Sequence, residues 1–224
     1  MHPWLRTAAK DALQEVLLPG RFLWRLPARS AGLALTFDDG PDARFTAPLL
    51  DLLARQGVRA TFFLVGRCVE ERPELARRMA AEGHAVGSHS LEHRELPGLD
   101  ARELERQVDG GRRALREALG CDTALFRPPR GRLDARTLWR LAAMDLCVAH
   151  WSRTWSDYRR DGAEALLERS RRDPARPRDI VLLHDHNPHT LEALERWIPQ
   201  WRAQGLGFET LAPAPAGAAR PAAR

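Results

Sequence analysis

Lysine is all but missing from this 224-residue chain: Lys10 is the only one, so the net charge of +5 rests on arginine. The arginines are spread along the chain, and no RNA-binding aromatic motif, helix-turn-helix signature or zinc finger accompanies them. A nucleic-acid partner is therefore not expected. A compositional bias accounts for the arginine more simply than an anionic partner does. Cysteine is scarce as well. Cys68, Cys121 and Cys147 are odd in number and widely spaced, which excludes a disulfide framework and a cysteine metal site. Buried free thiols in a reducing compartment are the expected state. Long apolar runs are absent, so no stretch reads as a membrane span. Asp11, Gln14, Glu15 and Arg21 interrupt the region where a secretory apolar segment would lie. A cytoplasmic location is the expectation.

What remains is an ordinary globular composition, 44% hydrophobic and 29% charged, in a length that suits one domain. Short apolar runs at 33–37, 60–65, 85–88, 123–126, 147–151, 180–183 and 208–211 are bounded by Gly, Pro or charged residues. Such runs read as strands buried on both faces. Helical patterns alternate with them. Thr46 opens an apolar stripe, Pro73 suits a first helical position, and Gly83 suits a stop. Asp100, Asp134 and Thr190 are candidate helix caps. The Gly110-Gly111 pair should weaken its helix by about 2 kcal/mol relative to alanines, which predicts a kink or a split there. The alternation means a parallel α/β sheet, open or closed into a barrel. Asp38 and Asp39, His89, Arg127, Asp157 and His184 each follow a different apolar run. Barrel sites are assembled on the C-terminal face in this way, and no Gly-rich phosphate loop follows the first strand.

Residues 1–30 form an expected helical extension, in which Leu5, Ala9, Ala12, Leu13 and Val16 share one helical face. That face is expected to pack on the barrel. Peripheral membrane contact through residues 1–24, on the inner face, is the alternative. Residues 31–212 form the main domain, and the Ala/Pro/Arg-rich 213–224 reads as a disordered tail.

Two motifs carry chemistry. Thr36-Phe37-Asp38-Asp39-Gly40-Pro41 places adjacent carboxylates after an apolar run, and His89-Ser90-Leu91-Glu92-His93 places two imidazoles four residues apart. Carboxylate and neutral imidazole are ligands for zinc and similar divalent ions, and three of them leave an open position for catalysis. Either motif alone has a bland reading: Asp, Gly and Pro favour turns, and an H-x3-H pair is common in a chain with eight His.

The two motifs are followed by Arg127-Pro128-Pro129-Arg130-Gly131, by Trp151 through Tyr158, and by Leu182-Leu183-His184. In that order the five resemble the motifs of the polysaccharide deacetylases, carbohydrate esterase family 4, over nearly the whole chain. The resemblance implies a distorted TIM-like (β/α) barrel of about seven parallel strands. It implies a divalent metal, zinc foremost, held by Asp39, His89 and His93. It implies Asp38 as general base, oriented by Arg127, and His184 as general acid, paired with Asp157. Leu182 with Trp151 or Trp155 would line a pocket for an acetyl methyl group. His186 and His189 are rivals for the acid, although only His184 directly follows its strand.

The chain departs from the pattern at two places. Arg130 stands where an aromatic residue is common and could meet an anionic group. Tyr158 stands where Trp is usual, and an earlier Asp is replaced by Ser152 or Thr154. The implied activity is hydrolysis of an N-acyl group, acetyl foremost, from an amino sugar or glycan. Alternatives are a lipid-linked or nucleotide-linked sugar, an acetyl ester or a small amide as substrate. A carbohydrate-binding protein without catalysis is a third reading, against which Asp38 and His184 argue.

Overall fold

The computed structural model describes residues 9–18 and 20–212. Leu5 of the expected N-terminal face and the 213–224 tail lie outside them. Among the described residues, eight strands form one curled parallel sheet: β1 (Phe22–Leu23), β2 (Ala34–Asp38), β3 (Thr61–Leu64), β4 (Ala85–Ser88), β5 (Leu125–Phe126), β6 (Cys147–Ala149), β7 (Arg153–Thr154) and β8 (Ile180–His184). Their order is β1-β6-β5-β4-β3-β2-β8-β7. Helices α1 (Thr46–Arg55), α2 (Gly66–Glu71), α3 (Pro73–Ala81), α4 (Ala101–Leu119), α5 (Ala135–Ala143), α6 (Ala163–Arg172) and α7 (Pro188–Ala203) connect the strands. The expected distorted barrel is present, with differences at its edges. The 208–211 run makes only a single bridge, Phe208 to Leu33. The edge strands β1 and β7 are two residues each, too short for alternation to reveal them. β1 falls within residues 1–30 and pairs with β6, so the sheet begins inside the stretch read as an extension.

Strand alternation sorts the core into layers. On β2, Leu35 and Phe37 join the cluster beneath the helices, whereas Ala34 joins Phe63, Leu125, Ala149 and Ile180 in the barrel interior. Thr36 and Asp38 continue that inner row toward the C-terminal end. Phe37 stacks on Phe62 at 5.2 Å between ring centroids. Burying such a phenyl stabilises the fold by about 1.5–3 kcal/mol. The apolar interior thus closes the lower barrel and leaves polar groups at the top.

α4 is continuous through Gly110-Gly111, contrary to the expected kink. A Cβ on Gly111 would lie 2.6 Å from Ser88 Oγ and 2.7 Å from the Ser90 carbonyl carbon, and one on Gly110 would lie 2.9 Å from Leu91 Cδ2. The glycines therefore let the helix press against the loop after β4. Gln107 binds that loop from α4, accepting from Leu91 N through its carbonyl and from Glu92 N through Oε1. This close packing offsets the weak helix propensity of the pair. Asp100 and Asp134 cap their helices by accepting from Glu103 N and Thr137 N. Thr190 does not cap α7; Asn187 does, accepting from His189 N.

Residues 9–17 are helical, with a π turn over Leu13–Leu17. Leu13 and Leu18 pack against the cluster containing Phe22 and Trp24. Gln14 Oε1 accepts from the backbone of Trp24 and Arg25. The segment thus sits on the barrel, but Val16 is 73% exposed. Ala9 and Ala12 are exposed as well, so of the described residues on the expected face only Leu13 packs against the core. The thiols also depart from expectation: Cys147 is buried, Cys68 is half-buried and Cys121 is exposed. No helix among the described residues is long and apolar enough to cross a membrane.

Candidate active site

Asp39, His89 and His93 meet at the C-terminal end of the sheet, their ligand atoms all within 4.8 Å of one another. Asp39 follows β2 with φ 78°, and Ser90 and His93 have φ 69° and 56°. Left-handed backbone is costly for residues with a Cβ; here it coils the loop so that both imidazoles face Asp39. His89 Nδ1 is 2.7 Å from the Arg127 carbonyl, so Nδ1–H donates and the Nε2 lone pair faces the site. Burial lowers the His89 pKa to about 3, against the raising effect of Asp39. The ring is therefore neutral, as a metal ligand must be. Asp39 Oδ1 is buried without a hydrogen-bond partner. It lies 3.5 Å from His89 Nε2 and 3.2 Å from His93 Nε2. A carboxylate oxygen facing the His89 lone pair is unfavourable until a cation sits between them, and the donor set fits a divalent ion.

Asp38 is the last residue of β2, directly opposite His184 in the register. Its Oδ1 accepts from Arg127 Nη1 at 2.7 Å. Arg127 is wholly buried. It also donates to Thr36 Oγ1 and to the His150 carbonyl, and its guanidinium lies 4.1 Å from the Phe63 ring centroid. Asp38 Oδ2 faces the imidazoles, 3.7 Å from His89 Nε2. Burial raises the Asp38 pKa above the ordinary carboxylate value, outweighing the opposing charges of Arg127 and His184.

His184 ends β8 next to the Asp39–His89–His93 cluster. Its Nδ1 is 2.8 Å from Asp157 Oδ1, and its Nε2 is 4.0 Å from Asp39 Oδ2. Asp157 Oδ2 accepts from His184 N and from Thr190 Oγ1, while Asn187 Nδ2 donates to the Asp157 carbonyl. Burial would lower the His184 pKa, but the hydrogen bond and charge of Asp157, with Asp38 and Asp39, raise it to about 9. His186 is shifted the other way, by burial first. His189 points toward Glu192 on α7. Of the three histidines, His184 alone lines the pocket and is held by a buried carboxylate.

These groups line a cavity of about 600 Å³, walled by Arg130, Trp151, Thr154, Tyr158 and Leu182, a size suited to a small ligand. A groove of about 760 Å³ opens at the opposite end of the sheet, beside Val58, His84 and Phe208. Among the described residues, the ligand cluster belongs only to the smaller cavity. Trp155, expected as a pocket wall, is instead core: it packs against Trp197 at 4.7 Å and Trp201 at 5.9 Å. Strand alternation explains this, since Thr154 faces the pocket beside its partner Leu182 and Trp155 must face the helices. Ser152 is likewise out of the site, donating to Asp179 Oδ1. Arg130 lies at the rim with φ 56° and pairs with Glu95. Thr36, Thr190 and Asn187 were not foreseen as supports of the site. Thr36 did leave a signal, a polar residue inside an apolar strand.

The polysaccharide deacetylase family profile matches residues 26–149, more than half of the chain. A chitooligosaccharide deacetylase of Sinorhizobium fredii is 37% identical over 193 residues, covering 79% of this chain and 88% of the relative. A peptidoglycan-N-acetylglucosamine deacetylase of Bacillus cereus is 32% identical over 189 residues, covering 83% and 68%. Among solved structures, a peptidoglycan N-acetylglucosamine deacetylase bound to an N-hydroxybenzamide superposes with a TM-score of 0.81 at 31% identity, covering 85% of this chain and 91% of that one. A Bacillus anthracis pseudoenzyme of carbohydrate esterase family 4 superposes with a TM-score of 0.79 at 26% identity, covering 87% and 68%. With its five motifs gathered at one end of a parallel barrel, the chain belongs to the polysaccharide deacetylases of carbohydrate esterase family 4.

Proposed function

We propose that this protein is a metal-dependent deacetylase that hydrolyses the N-acetyl amide of an amino sugar to acetate and a free amine. The observation that carries this reading is the placement of three distinct devices around one cavity. These are the Asp39–His89–His93 cluster, the Asp38–Arg127 pair and the His184–Asp157 pair. Two imidazoles and a carboxylate suit zinc. When bound, the ion supplies Lewis acidity, polarising the amide carbonyl and acidifying a water molecule. The chain's own residues move the protons. Asp38 Oδ2 accepts a proton from the attacking water, with Arg127 fixing the other oxygen. His184 Nε2 delivers a proton to the departing nitrogen, since an amine leaves poorly unless protonated. Leu182 and Trp151 offer an apolar wall for the acetyl methyl group.

Pseudoenzymes share this fold, so fold alone does not carry catalysis. Here the carboxylate and imidazole needed for proton transfer are both present and both oriented by buried partners. Arg130 at the cavity rim, 70% exposed along its side chain, supports a second reading of the substrate, one that bears an anionic group near the acetamide. Acetate and free amine should appear in equal amounts from chitooligosaccharides, peptidoglycan fragments or lipid-linked amino sugars. Acetate without amine would mean an esterase, and release from none of them would remove the amino-sugar reading.

A further inference from the structure

The only lysine of the chain reaches the back of the substrate wall. Lys10 Nζ lies 3.2 Å from His150 Nδ1 and 3.4 Å from the Trp151 carbonyl, and 5.5 Å from the Trp24 ring centroid. An ammonium group has donors and no acceptor. It therefore makes Nδ1 of His150 the acceptor and leaves the ring proton on Nε2. Nε2 is 3.1 Å from the Gly131 carbonyl, a contact that requires such a proton. The same ring stacks on Trp151 at 4.4 Å and 15°. The Gly131 turn is pressed on both: a Cβ there would lie 2.4 Å from Trp151 Cη2 and 2.9 Å from His150 Nε2. Neighbouring Arg130 and Trp151 both wall the cavity. The His150 carbonyl also accepts from Arg127, the partner of Asp38.

We infer that Lys10 is a positioning residue for the site: by fixing the His150 tautomer it clamps the Arg130–Gly131 turn and the Trp151 indole that face the substrate. The inference rests on the deacetylase reading for its kinetic consequence. It gives the N-terminal helical segment a task beyond covering apolar surface. Burial, reinforced by the Lys10 charge, lowers the His150 pKa to about 4, in keeping with a neutral ring between two partners.

The test uses the full chain with Lys10→Met, which keeps the stem and loses the charge, and Lys10→Arg, which restores a donor. Histidine tautomers are read from long-range 15N–1H spectra, and KM and kcat from acetate release on a chitooligosaccharide. In wild type, His150 should carry its proton on Nε2. Lys10→Met should weaken that preference, since only the Gly131 carbonyl then selects it, and raise KM about tenfold, the scale of one charge-assisted hydrogen bond. Its kcat should change by less than about twofold, because the walls bind substrate and the reacting groups are untouched. Lys10→Arg should recover most of the KM. A KM in Lys10→Met within about twofold of wild type overturns the inference, and so does an unchanged His150 tautomer. A wild type that releases no acetate would sink the deacetylase reading instead, and the tautomer comparison would still decide whether Lys10 sets the ring.

Discussion

Asp38→Asn is expected to lower turnover by about 10²–10⁴-fold, the usual contribution of a general base, with bound metal at the wild-type level. The carboxamide keeps the shape of the side chain and can still accept from Arg127 Nη1, which holds Asp38 Oδ1 at 2.7 Å. It cannot take a proton from water. The wild-type pH profile should carry the same signature. Burial raises the Asp38 pKa in the folded chain, so the rate should fall with decreasing pH earlier than for an exposed aspartate. A bound cation nearby opposes that shift. Metal content measured beside the rate separates the roles, because metal lost in step with activity would make Asp38 a ligand.

Asp157→Asn is expected to cost about 10²–10⁴-fold in turnover, by analogy with carboxylates that orient a catalytic imidazole, and to displace the alkaline limb of the pH profile. The sign follows from the competing influences on His184. Burial lowers its pKa, and Asp157 supplies the main opposing effect that raises it to about 9. With Asp157 neutral, burial prevails. The protonated acid is then lost at lower pH, and a bound cation moves both limbs further in that direction. Stability follows the same linkage. The His184–Asp157 pair contributes fully below the ordinary imidazole value of about 6.5, and its contribution is lost as pH rises through about 9. The variant should therefore be most destabilised at about pH 6, where the imidazolium–carboxylate pair is intact in wild type, and less so in alkali. His186→Ala and His189→Ala serve as controls. An unmoved alkaline limb, together with a rate that collapses in His186→Ala and not in His184→Ala, would transfer the acid role to His186.

Most of the site was legible because its groups sit at the ends of strands whose apolar runs are easy to see. Asp38, His89, Arg127 and His184 needed only those runs to be placed. Trp155 was misread because β7 is two residues long, too short to show which side each residue faces. The glycine pair misled for a different reason. Intrinsic propensity argues for a break at 110–111, and packing of the helix on Ser88, Ser90 and Leu91 overrides it. Thr190 has the chemistry of a cap and was read as one. Its actual partner, Asp157, is 33 residues away, a contact no local pattern encodes. The His150 contacts join residue 10 to residue 131, separations that no local pattern encodes.

The proposed activity requires a divalent ion held by Asp39, His89 and His93. The decisive observation is metal stoichiometry and acetate release determined on the same samples, for wild type and for His93→Ala, before and after chelation and titration with Zn²⁺. Chelated wild type should be silent and should recover its full rate at about one equivalent of added ion, as one three-ligand site requires. His93→Ala should lose metal and activity together. A chelated wild type that still hydrolyses at its full rate, or a His93→Ala protein with full metal occupancy, would contradict the account.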